Sequence, residues 1–184
     1  MHREGRRITG ASVDDGRTLK ADHFVSNLDP MHLYGELMDP APLAARVKHR
    51  LAQTSMGLFV LYFGTDCTYP DVAHHTIWLG DRYRELLRDI FDRKILSEDF
   101  SLYLHRPTAT DPSFAPPGHD SFYVLAPVPN QLGNIDWASE GPRLQARIVE
   151  ALEATLMPGL STHLRAAFYM TPDDFRENYQ SVHG

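Results

Sequence analysis

"FSLYLHRPTATDPSFAPPGHDSFYVLAPVP", Phe100 to Pro129, decides how this chain folds. Both ends of the stretch are runs rich in β-branched, aromatic and leucine residues, the composition of strands. Between them lies a loop with Pro107, Pro112, Pro116 and Pro117, and with Thr108, Thr110, Asp111 and Ser113. The prolines make that loop a stiffened connection between the two strands, and most strands of the chain are expected to pair antiparallel. Asp111 before Pro112 reads as an Asx-type turn, with a ligand contact as the alternative.

Working outward, the same strand pattern recurs in "MGLFVLYFG" (Met56 to Gly64), "HHTIWLG" (His74 to Gly80) and "LRAAFYMTP" (Leu164 to Pro172). Helices stand between them. "SEGPRLQARIVEALEATLMPG" places Leu144, Ile148, Leu152 and Leu156 four apart, a single apolar stripe that stops at Pro158 and Gly159. "DRYRELLRDIFDRKIL" puts Tyr83, Leu86, Leu87, Ile90 and Phe91 on one face. Leu43, Val47 and Leu51 predict a helix over Pro42 to Gln53 with a buried stripe. Asp29-Pro30 opens another helix, and Thr171, Pro172, Asp173 and Asp174 open the last one. The N-terminal stretch predicts a hairpin, Ile8 to Val13 and Thr18 to Leu19 around Asp14-Asp15-Gly16, then a short apolar segment over His23 to Val25. Strands and helices mix without a βαβ rhythm, which gives an α+β fold.

At 184 residues with 42% hydrophobic and 23% charged side chains, the chain can bury a real core. Its net charge of −6 (18 basic, 24 acidic) speaks against a nucleic-acid partner. The short basic cluster Arg3, Arg6, Arg7 reads as a solvated start of chain. A single cysteine, Cys67, allows no internal disulfide and reads as structural. The longest apolar run, Met56 to Gly64, falls well short of the roughly 18–20 residues of a spanning helix. No dinucleotide fingerprint, Walker loop, metalloprotease motif or nucleophile elbow occurs. Among ten histidines only His74 and His75 are adjacent. Neighbours on a strand point to opposite faces, so no metal site is expected from them. Aromatic residues crowd the strands, and alternation turns Tyr103 and one of Phe122 or Tyr123 away from the core. That is either sheet packing or a wall for a long apolar ligand.

Several long segments in order then carry a resemblance: "ADHFVSNLDPMHLYGELM", "LFVLYFG", "AHHTIWLGDRYRELLRDIF", "EDFSLYLHRPTATDPSFAPPGHDSFYVLAPVP", "WASEGPRLQARIVEALE", "MPGL" and "MTPDDFRENYQSVHG". Together they resemble the bacterial phytoene desaturases, FAD-dependent carotenoid desaturases of the amine-oxidase-like flavoprotein superfamily. The resemblance implies an oxidoreductase that introduces double bonds into phytoene and associates peripherally with a membrane from the cytoplasmic side. It implies a mostly antiparallel substrate-binding sheet with flanking helices, beside a Rossmann-like FAD domain. The fingerprint of that domain and the family's C-terminal glycine-rich flavin segment do not occur here, so the chain reads as an internal stretch of such an enzyme. Residues 1–28 would form a hairpin and a strand returning toward the FAD domain, and 29–184 the substrate-binding and helical region. Ser26 and Asn27 are the implied cofactor-facing residues, with an ordinary turn as the alternative. Phe59, Tyr62, Tyr103, His105 and Tyr123 are the implied substrate wall, and no catalytic acid or base is assigned. The rival reading is a non-catalytic module that binds an apolar ligand or a membrane surface.

Overall fold

The computed structural model describes residues 1–5, 7–38 and 41–184, without the side chains of 46, 49 and 50. Arg6 of the basic cluster therefore lies outside the described residues. The chain divides into two compact units, Met1–Thr54 with Arg176–Val182, and Ser55–Phe175 with His183–Gly184.

The first unit opens with a three-stranded antiparallel sheet, β1 (His2–Glu4), β2 (Arg7–Ser12) and β3 (Thr18–Leu19). The expected hairpin is present. Gly16 adopts φ +85°, which the tight turn requires and a side chain would resist, and its N–H donates to the Val13 carbonyl at 2.9 Å. β1 was not expected, because His2 to Glu4 carry no strand pattern and form a strand only through pairing with β2. The apolar segment His23 to Val25 is no strand, having no partner among the described residues, and Val25 is 98% exposed. Asp29 caps α1 (Pro30–His32), its carboxylate accepting from the Met31 N–H, and the helix runs on as a π turn over Leu33–Leu37.

α2 (Leu43–Leu51) forms as expected, but its stripe is not buried: Leu43, Val47 and Leu51 are 73%, 48% and 77% exposed. Instead Ala44, Ala45 and Lys48 of the helix, with Ala52 just after it, line a pocket shared with Pro30, Met31 and Tyr34.

The second unit is built on a five-stranded antiparallel sheet in the order β5-β6-β7-β4-β8. Its strands are β4 (Gly57–Thr65), β5 (His75–Trp78), β6 (Leu102–His105), β7 (Asp120–Val128) and β8 (Leu164–Met170). The opening stretch supplies its centre: β6 and β7 pair antiparallel as expected, and β7 pairs with all nine residues of β4. Strict alternation sends Phe59, Leu61 and Phe63 of β4, and Phe122, Val124, Ala126 and Val128 of β7, to one face. α4 (Trp137–Thr155) covers that face with Leu144, Ile148 and Leu152, all at most 2% exposed. Each such side chain contributes about 1.5–3 kcal/mol of burial. Asp136 caps α4 through the Ala138 N–H. α5 (Leu160–His163) turns the chain back into β8.

α3 (Tyr83–Arg88) widens into a π turn over Asp89–Arg93. The expected single face does not hold: Leu86 and Ile90 are buried, whereas Tyr83 at the start of α3 and Phe91 within the π turn are each 45% exposed. In α6 (Pro172–Tyr179) Thr171 and Asp174 form a reciprocal cap, the Thr171 N–H donating to the Asp174 carboxylate at 2.7 Å.

The proline-studded loop is tied down at its base. Asp120 is 2% exposed and accepts from Arg106 Nε (2.9 Å), Thr108 Oγ1 (2.6 Å) and the Tyr69 N–H (2.7 Å). Arg106 also donates to the Val72 carbonyl at 3.0 Å. Each partner of the buried pair thus has hydrogen bonds beyond the pair itself, the condition under which a buried charge is tolerated. Asp111 makes the expected Asx turn, accepting from the Ser113 N–H at 2.9 Å.

Candidate functional site

The sheet face turned away from α4 is the candidate site. Antiparallel register sets five residues directly opposite one another across all five strands: His75, His105, Tyr123, Tyr62 and Phe168. Residues paired in this way point to the same face. Their rings touch in sequence, with centroids 5.0 Å apart for His75–His105, 4.6 Å for His105–Tyr123, 5.9 Å for Tyr123–Tyr62 and 4.7 Å for Tyr62–Phe168. At about 4.8 Å between strands, the row is about 19 Å long. A second row lies two residues along: Ile77, Tyr103, Leu125, Val60 and Met170, again matched by register. Tyr103 links the rows, stacking on His75 at 5.8 Å and meeting Tyr123 at 5.9 Å.

Four of the five implied wall residues, Tyr62, Tyr103, His105 and Tyr123, stand together here, each half-buried. Phe59 does not join them. It is fully buried under α4, stacked on Trp137 and Tyr169. The reason is parity: Phe59 and Tyr62 are three apart on β4, and an odd separation along a strand reverses the face. Ser26 and Asn27 are exposed in an irregular segment of the first unit, where Ser26 Oγ accepts from the Leu28 N–H at 3.3 Å. Phe168 was missed. "LRAAFYM" reads as a strand, but only its register on β4 puts Phe168 beside Tyr62.

Burial first, and then the His74 and His75 rings, hold His105 below the ordinary imidazole range. Burial, and then the contact with Tyr103, push the Tyr123 phenol up. Both groups are therefore neutral near pH 7, which suits an apolar neighbour.

Across its length the chain is 49% identical to the lycopene-forming phytoene desaturase of Paracoccus sp. N81106, matching 98% of this chain and 37% of the relative. Identity is 45% to the lycopene-forming enzyme of Pantoea ananas, over 100% of this chain and 38% of the relative. It is 42% to the neurosporene-forming phytoene desaturase of Rhodobacter capsulatus, over 100% and 36%. The chain is homologous to a segment of phytoene desaturases. It spans a little over a third of the length of these curated relatives. No family model matches it.

The desaturase relationship covers the aromatic rows and also a polar corner at the far end of β4. There Asp66 accepts from His163 Nδ1 at 2.8 Å and pairs with Arg165, and Cys67 stands close by. The hydrogen bond from His163 leads the causes that lower the Asp66 pKa. Cys67 was read as structural, and sequence spacing could not bring His163 to it, since 96 residues separate them.

Proposed function

We propose that this chain is the substrate-binding portion of an FAD-dependent phytoene desaturase, an oxidoreductase of carotenoid biosynthesis. The face turned away from α4 is the wall along which phytoene, or a related long hydrocarbon, lies. The observation that carries this is the pair of register-matched rows, His75 to Phe168 and Ile77 to Met170. A ribbon about 19 Å long, walled by rings and branched side chains, matches an extended apolar chain better than a compact ligand. Tyr123, its phenol pushed up and so neutral, presents no charge to desolvate.

Among the described residues no glycine-rich strand–turn–helix offers backbone N–H groups to a pyrophosphate. No step is therefore routed through the cofactor. In the longer protein, residues 1–28 lead toward the FAD domain and 29–184 form the substrate-binding and helical region, with Ser26 and Asn27 facing the flavin; both are exposed. The protein docks peripherally on the membrane that dissolves its substrate. Among the described residues no helix is long and apolar enough to cross one.

The test is a chimera in which this chain replaces the matching segment of the Pantoea ananas relative. Conversion of phytoene to lycopene is expected to persist, and its loss would count against desaturase function. In the same chimera Tyr62→Ser with Phe168→Ser is expected to lower phytoene turnover about tenfold. The exposed Phe91→Ser in the π turn after α3 should leave it unchanged. Equal effects of the two changes would remove the wall while leaving the desaturase assignment standing.

A further inference from the structure

Where β5 meets β6, the face carries more imidazole than an apolar wall requires. His74, His75 and His105 each bring one ring nitrogen to within 4.8 Å of the other two. The alternation rule predicted that His74 and His75 would diverge. It does not apply, because His74 precedes β5, which starts at His75. The two rings lie 4.4 Å apart by centroid, and His105 lies 4.7 Å from His74.

The outer nitrogens are already engaged. His74 Nδ1 meets Thr110 Oγ1, and His75 Nδ1 lies 2.7 Å from the Tyr103 hydroxyl. A hydroxyl that accepts from Nδ1–H leaves the lone pair on Nε2, as outer partners do at ligating histidines. His74 Nε2 and His105 Nε2 are 2.8 Å apart, so one of them carries a proton that both share. His105 Nδ1 is buried and has no partner. The consistent arrangement is His105 Nε2–H donating to His74 Nε2, with the buried Nδ1 as a bare acceptor, since a bare buried donor costs more.

We propose that His74, His75 and His105 form a binding site for a divalent transition metal of the zinc type, three imidazoles on one ion with a fourth position open. Neutral imidazole suits zinc, cobalt, nickel and copper and not the hard ions magnesium and calcium. Tetrahedral zinc with Zn–N of about 2.0–2.1 Å sets its ligand atoms about 3.4 Å apart. The nitrogens here, 2.8 to 4.8 Å apart, reach that spacing by ring movements of about 1 Å. The ion takes the place of the proton between His74 and His105. That proton moves to His105 Nδ1, so the three ligands stay neutral and none is released. Since the new N–H is buried without an acceptor, binding is moderate in strength. The ion would fasten edge strand β5 and the residue before it to β6.

The test uses the full chain, stripped with a chelator and titrated with Co²⁺ alone at about pH 7.5, where free imidazoles are unprotonated. One equivalent is expected to bind, with the visible bands of nitrogen-ligated cobalt, no thiolate charge-transfer band, and displacement by Zn²⁺. His74→Ala and the exposed His75→Gln should each weaken binding about 100-fold, while His163→Ala leaves it unchanged. Far-ultraviolet circular dichroism of the metal-free variants checks that they are folded. Absence of a one-equivalent transition up to about 1 mM Co²⁺ overturns the site. So does undiminished affinity in His75→Gln, or a thiolate band abolished by Cys67→Ser, which would place the ion at the Asp66–Cys67–His163 corner instead.

Discussion

α2 and α4 carry the same apolar spacing and meet opposite fates. Leu144, Ile148 and Leu152 of α4 are 2%, 0% and 1% exposed, against 73%, 48% and 77% for Leu43, Val47 and Leu51 of α2. A repeat every four residues produces a stripe, but something must lie against the stripe to bury it. α4 has the core face of β4 and β7 beneath it. α2 meets its described neighbours through alanines, and its leucines stay outside. The amphipathic pattern thus specifies a face and leaves its cover to the rest of the chain.

The most forceful way to break this contrast is to place a charge on each stripe. Ile148→Asp puts a carboxylate into a fully buried site and is expected to cost on the order of 5 kcal/mol, enough to unfold the second unit. Val47→Asp should shift the thermal midpoint hardly at all, within about 0.5 kcal/mol, as exposed substitutions do. Circular dichroism melts of the two variants decide it, and equal losses would mean that the α2 stripe is covered in solution.

A mid-sized test asks how closely α4 sits on the sheet. Gly141 lies in its second turn, and a Cβ there would meet the Tyr169 ring at 2.8 Å. Gly→Ala inside a helix normally gains about 0.5–1 kcal/mol. Here Gly141→Ala should lose about 1–3 kcal/mol by overpacking. A stabilised variant would show that the helix rides higher than the contact implies.

The smallest effect is acid sensitivity, and it belongs to the second unit. The hydrogen bonds from His163 to Asp66, and from Arg93 to Asp89, lead the causes that hold both carboxyls below their ordinary value of 3.8. A carboxyl depressed in the folded state contributes stability that is present above the unfolded value and lost as pH falls through the folded one. The midpoint should therefore hold between pH 6 and about 4.5 and decline below about 4. Asp89→Asn should flatten that decline, measured by melts across the range.

Much of the fold was legible because local rules agreed there. β4 and β7 were readable from β-branched and aromatic runs, α4 from its stripe, and the last helix from Thr171 and Pro172. What escaped depends on register and phase. β4 is apolar on both faces, so its composition did not say that Phe59 enters the core while Tyr62 leaves it; parity did. No local signal joins His75 to His105, 30 positions apart, or Phe168 to Tyr62; only strand pairing does. The π turn after α3 shifts the helical phase in the middle of a pattern, and Phe91 within it leaves the expected buried face. The α+β class was legible in the mixture of elements, and Tyr62, Tyr103, His105 and Tyr123 share one sheet face because register pairs Tyr62 with Tyr123 and Tyr123 with His105, while Tyr103 stands two residues from His105 on the same strand.

β8 closes the sheet with seven residues, Leu164–Met170, and no strand among the described residues pairs along its outer side. Its N–H and C=O groups on that side form a template that any extended backbone can extend. Phe168, 61% exposed, adds apolar area beside it, and Arg165 is the one charge on the strand. Two copies of the chain that meet edge to edge would continue the sheet, and the meeting rate rises with the square of concentration. Yield on refolding should therefore be governed by dilution, and Ala167→Lys, in the middle of that edge, should do more for solubility than any repair of the core.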